Sequence, residues 1–341
     1  MRAVRSAGVA AALLAVAAHA GVREAGAQTT AGNCTVVSFS GLSGADVCTK
    51  ARDIFAFVMP QVGVALSGGN PVLGEGGTMG GWGKRAVSLR VTAVDGFVPK
   101  NAVPLSLSGV RGPAANFGAA RSPIPVPSVD AAIGLFAGVP AGLTNIGGID
   151  VLLGATYLPE VSENGFSAAP QTSSVAVSYG VRVGALQESS LVPGLSVSYM
   201  RRKLPTTTLG YVSANDTISV RKRAATSNSL RLVVSKRIAI FGLAAGVGRD
   251  AIENTAGVDA VVNEITLNQQ VRASVSLFDL RNSVTRNTAF VNASLGLGLA
   301  RLVGEFGWSA AGDRDPTTNS FDGREANEGY RFGSLGITVR F

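Results

Sequence analysis

Ten segments of this chain carry apolar residues at every second position, and the joins between them alternate without a break between short and long. The segments are centred on Val87–Ala93, Ala131–Val139, Ile149–Tyr157, Val175–Val183, Leu195–Tyr199, Leu230–Val234, Phe241–Val247, Ala289–Leu299, Leu302–Trp308 and Leu335–Phe341. Counted from the C-terminal side, the joins are long at 311–328, short at 300–301, long at 250–286, short at 235–237 and long at 204–226. They continue short at 188–192, long at 159–172, short at 140–146 and long at 96–127. Period two places successive side chains on opposite faces of a strand. Tight turns at one end and loops at the other are the pattern of an up-and-down sheet closed in a membrane. The segment Val271–Leu277 also alternates, but counting it as a spanning strand breaks the parity, so it reads as part of a hairpin standing beyond the membrane. The expected fold is all-β, an antiparallel up-and-down transmembrane β-barrel of about ten strands, with twelve possible.

A soluble antiparallel sheet alternates in the same way, so composition has to separate the two. Hydrophobic residues make up 46% of the chain and charged residues 15%, against roughly 25% charged in an ordinary soluble domain. The uncharged stretch 131–149 contains Pro140 and five glycines, and a helix there would cost roughly 3 kcal/mol for the proline and nearly 1 per glycine. An oily chain without spanning helices has one other way to satisfy its backbone in lipid, the closed barrel. At the start, Arg2 and Arg5 precede an apolar run from Val9 to Ala18 and small residues at 18–20 and 25–27. That is the pattern of a secretory signal peptide over 1–27, cut after Ala27 or after Ala20.

The last eight residues read SLGITVRF. Leu335, Ile337, Val339 and Phe341 share one face, and this terminal strand ending in phenylalanine resembles the signature of Gram-negative outer-membrane β-barrel proteins. The resemblance implies recognition by the barrel-assembly machinery and residence in the outer membrane among lipid and lipopolysaccharide. It implies no activity.

Residues 28–83 differ from the barrel segment 84–341. Val47, Ala51, Ile54, Phe55 and Val58 fall at helical spacing, with Ser43 or Asp46 as cap and Pro60 as the stop. Cys34 and Cys48 are the only cysteines, and in an oxidising compartment they are expected to pair, which for a loop of this size contributes about 3 kcal/mol in the chain-entropy picture. Two cysteines without further ligands are not a metal site. The stretch GGNPVLGEGGTMGGWGK, residues 68–84, fails as a phosphate loop because Thr78 stands where glycine is needed and Arg85 replaces the hydroxyl residue. It reads either as a flexible linker or as a plug in the barrel mouth. Asn70-Pro71 is faintly similar to the hatch of long-chain fatty-acid outer-membrane transporters, but Val72 and the strand number depart from that family, and no functional residue carries over.

Catalysis is not expected. The single histidine, His19, lies in the signal segment, which removes imidazole-based nucleophilic and transition-metal chemistry from the exported chain. No cofactor is implied. On the inward face the alternation places Arg90, Arg182, Arg231, Arg340, Asp130, Asp150 and Glu305. In a narrow lumen these charges must pair or meet water, and Gly134, Gly154, Gly180, Gly242, Gly246, Gly296 and Gly298 beside them leave room for a small solute, lipophilic ones included. Two function classes follow. The plug-like segment and the glycine-rich lumen favour the first, passage or binding of small solutes through a narrow lumen; the alternative is a closed, salt-bridged barrel that interacts through its outer loops. Arg201, Arg202, Lys203, Arg221, Lys222 and Arg223 flank one outer hairpin and are candidates for lipopolysaccharide phosphates. The formal net charge of +8 suits an anionic membrane surface better than nucleic acid, which is not an expected partner.

Overall fold

The computed structural model describes residues 28–30, 34–37, 45–100, 105, 114–163, 166–171, 173–204, 206–213, 216–266, 269–312, 317–325 and 328–341. Residues 1–27, expected to be a signal peptide, lie outside them. Ten strands form the wall: β1 (Arg85–Val94), β2 (Ile124–Phe136), β3 (Gly148–Tyr157), β4 (Val175–Leu186), β5 (Gly194–Leu204), β6 (Asp216–Ile238), β7 (Phe241–Thr266), β8 (Gln269–Leu297), β9 (Ala300–Ser309) and β10 (Tyr330–Arg340). Each pairs antiparallel with the next, and β10 returns to β1. The seam is finished by Arg85 and Phe341, which exchange backbone hydrogen bonds of 3.2 and 2.9 Å. Closure leaves the wall without an unpaired edge, as a bilayer requires.

At the short-turn end β6 and β7 meet through Ala239 and Ile240, with Ala239 at φ 54, and β8 meets β9 through Gly298 at φ 70. At the other end β6, β7 and β8 run on for 23, 26 and 29 residues, where β1, β3 and β9 have 10 each. The joins expected as loops at 204–226 and 250–286 are therefore largely extended hairpins. Residues 271–277 pair with 258–264 in the outer part of β7 and β8. Strands 207–213, 166–170 and 161–163 add to one side of this extension, and 28–30 and 34–37 pair with β8 on the other.

The extended sheet exists because it has something to wrap. Helix α1 (Ala45–Ser67) stands in the barrel with its first half in the outer extension. Val47, Ile54, Phe55 and Val58 pack there against Val258, Ala260, Val262 and Leu280, and Phe57 stacks on Phe321 with ring centroids 4.1 Å apart. The sequence pattern predicted one buried face and a stop at Pro60; instead the helix is buried nearly all round and continues seven residues past the proline, to Ser67. A proline inside a helix removes one backbone bond and disturbs the preceding turn. Here the Gln61 side chain ties that turn to the join after β1, donating to the carbonyls of Phe57 and Phe97 at 2.9 and 3.0 Å. Enclosure on every side supplies the apolar contact that carries the helix onward.

Candidate functional site

The glycine-rich stretch is neither a free linker nor an open channel lining. From Gly68 onward it descends through the lumen towards the short-turn end, buried as far as Met79. Its contacts step down the wall in order. Ser67 Oγ lies 2.9 Å from Ser227 Oγ; the carbonyls of Gly68 and Gly69 accept from Arg231 at 2.9 and 3.0 Å; the Asn70 amide N donates to Glu305 at 2.7 Å. Lower down, Gly76 N donates to Ser235 Oγ at 2.9 Å and Met79 N to both Asp150 oxygens at 3.1 Å. Such a thread has an unusual need for wall glycines. A Cβ on Gly134 would lie 2.3 Å from the Gly81 carbonyl oxygen, and one on Gly194 would lie 2.7 Å from Gly77 N. At Gly134, the room foreseen for a solute is taken by the chain's own backbone.

All of the inward charges predicted from alternation do face the interior, but not as one shared cluster. Arg90 pairs with Asp130 at 3.0 Å and also donates to the Asn70 carbonyl at 2.8 Å. Arg182 pairs with Asp150 at 2.7 Å. Arg231 reaches Asp250 at 2.8 Å. Arg182, Arg231 and Asp150 are 2%, 1% and 0% exposed, so each charge is compensated by its partner in place of water. Glu305 is held by donors from Asn70, Asn292 and Ser334. Arg340 sits at the short-turn end, 3.2 Å from Glu75, which Arg301 also engages. Near it a recess of about 220 Å³ is lined by Arg237, Arg301 and Arg340. In the turn beside the plug, burial pushes the Glu188 carboxyl up, but the Ser235 hydroxyl and Arg237 outweigh it and hold it below its usual range.

Asp250, Glu75 and Arg301 were not foreseen. Asp250 was legible: Phe241, Leu243, Ala245 and Val247 face outward, so 250 faces inward if the strand is allowed to run on. The same parity from Leu195, Val197 and Tyr199 turns Arg202 inward. Arg202 is correspondingly buried, donating to Ser229 Oγ at 2.9 Å, and is not placed at a lipopolysaccharide surface. Of the other candidates in that group, Lys203 and Arg221 are exposed, Arg221 beside Asp259, and Arg201 is half-buried. The side chains of Lys222 and Arg223 lie outside the described residues, as does that of Cys34. No free cysteine occurs among the described residues. Pairing of Cys34 with Cys48 predicts a single non-reduced species; native protein that takes up two alkylating groups would overturn it.

The outward face completes the picture. Leu89, Val181, Leu232, Leu243, Val291 and Ile337 project from different strands. Tyr157, Tyr179, Tyr199 and Trp308 ring this apolar band towards the outer end, and Phe136, Phe241 and Phe341 ring it at the short-turn end. An apolar band between two aromatic girdles on a closed antiparallel wall is built for a bilayer. The chain is a membrane-spanning β-barrel. No protein-family model matches it, and no curated protein does. Among solved structures it is similar to the translocator domain of the autotransporter NalP from Neisseria meningitidis, at 12% identity and TM-score 0.36 over 76% of this chain and 89% of that one. It is also similar to the toluene transporter TodX of P. putida, at 12% identity and TM-score 0.26 over 75% and 88%. A third is an anion-selective porin from Comamonas acidovorans, at 11% identity and TM-score 0.19 over 76% and 98%.

Proposed function

We propose that this outer-membrane barrel is closed at rest by its own N-terminal segment and works at the cell surface through the outer sheet and loops. The observation that carries this reading is the buried thread from α1 to Met79, hydrogen-bonded to the wall along its descent. A second support lies at the outer mouth. Phe117 and Phe321 come from two long joins and stack on each other, and Phe321 stacks on Phe57, while Asp53 of α1 accepts from the backbone N–H of Thr318 and of Asn319 at 2.8 Å. The outer joins thus fold inward over the helix and close the mouth, and the hairpins of β6, β7 and β8 form a broad edge above the membrane. Edge strands at 161–163, 28–30 and 34–37 each have, among the described residues, one strand neighbour, which leaves that surface backbone to which an extended partner can add.

The alternative, passage of small solutes, requires the plug to leave or shift. Planar-bilayer recording on the full chain separates the two. The closed reading predicts a silent membrane at both polarities; discrete conductance steps from intact, folded protein would overturn it.

A further inference from the structure

The outward wall of β6–β9 is not uniform. One cross-strand row runs Leu232, Val247, Ala289, Trp308, and the row nearer the short turns runs Val234, Ala245, Val291, Phe306. Ala289 and Ala245 are the small residues in these rows, so the wall dips between the leucines on one side and the aromatic rings on the other. The result is a groove of about 520 Å³ along the apolar band, its lining including Leu230, Leu232, Val247, Ala289 and Trp308. At its outer end stands Arg249, whose cross-strand neighbours are Leu230 and Asn287. The next row outward is Asn228, Ala251, Thr285. Neither row holds a carboxylate, and Arg249 is exposed and has no ion pair among the described residues.

An arginine on the bilayer-facing wall beside the aromatic girdle, with an apolar trough directly beneath it, needs an anion at headgroup depth. Its fork matches a phosphate in two-point geometry. We infer that the groove between β6 and β9 is a specific lipid site: one acyl chain lies over Ala289 against Trp308, and Arg249 holds the phosphate of the same lipid. The occupant is a membrane lipid whose phosphate is not shielded by its own cationic group. The site is independent of what fills the lumen.

The chain has two tryptophans, and Trp82 lies at the short-turn end, away from the groove. Full-length protein with Trp82→Phe therefore reports on the groove through Trp308 alone. It is reconstituted in phosphatidylcholine vesicles containing equal mole fractions of either phosphatidic acid or phosphatidylcholine with brominated acyl chains. Brominated phosphatidic acid is expected to quench Trp308 with about a fivefold higher apparent affinity, the effect of one cation at a phosphate surface. Arg249→Gln should bring the ratio back to about one while the barrel keeps its heat-modifiable migration. Equal quenching by the two lipids in the parent would overturn the inference, and so would a preference that survives in Arg249→Gln.

Discussion

Deleting residues 45–79 should turn a silent bilayer into one that conducts in discrete steps. The wall does not need this segment for its pairing, since the ladders from β1 round to β10 and back are strand to strand. Three lumen pairs also survive the deletion, because Arg90–Asp130, Arg182–Asp150 and Arg231–Asp250 are each made within the wall. What disappears is the Gly77 backbone that fills the space left by Gly194, together with the Met79 side chain beside Gly134. Water then enters a lumen where Arg301 and Arg340 have lost Glu75 and Arg202 has no acid partner among the described residues. The open form should accordingly favour anions. A deletion variant that migrates as a folded, heat-modifiable barrel and still conducts nothing would mean that wall side chains alone close the lumen.

Arg231→Ala should destabilise the folded barrel by roughly 3–5 kcal/mol, read as a marked fall in the thermal midpoint. This guanidinium joins wall to plug, touching Asp250 at 2.8 and 2.9 Å and the carbonyls of Gly68 and Gly69. Its removal strands Asp250 with Thr288 as the remaining donor, at 2.7 Å. Arg221→Ala is the internal comparison. Its pair with Asp259 is largely exposed, and exposed pairs contribute about 0–1 kcal/mol. If the two variants melted together, the buried lumen pairs would not be holding the structure, and the plug would owe its place to apolar packing of α1.

Several site residues could be read directly from spacing. Arg90, Arg182 and Arg231 face inward because Leu89, Val181 and Leu232 beside them face outward, and a strand offers only two sides. Asp250 and Arg202 escaped because the outer strands were ended too early, at the point where their outward residues cease to be oily. Beyond the bilayer the alternation continues with a different partner: Val258, Ala260 and Val262 are buried against α1. The length of α1 escaped for a related reason. Pro60 is a strong local stop signal, and the enclosure that overrides it is supplied by residues far along the chain.

The strand number, the facing of each strand and the alternation of turns and loops were thus set by local pattern, because pleat and turn are properties of neighbouring residues. The fate of residues 68–84 was not. Eight glycines in that stretch are equally compatible with a free linker and with a thread, since glycine itself has no side chain to favour either. Only the closed barrel brings Arg231, Ser235, Glu305 and Asp150 round that backbone from three different strands, and its buried N–H and C=O groups then have partners in the wall instead of water.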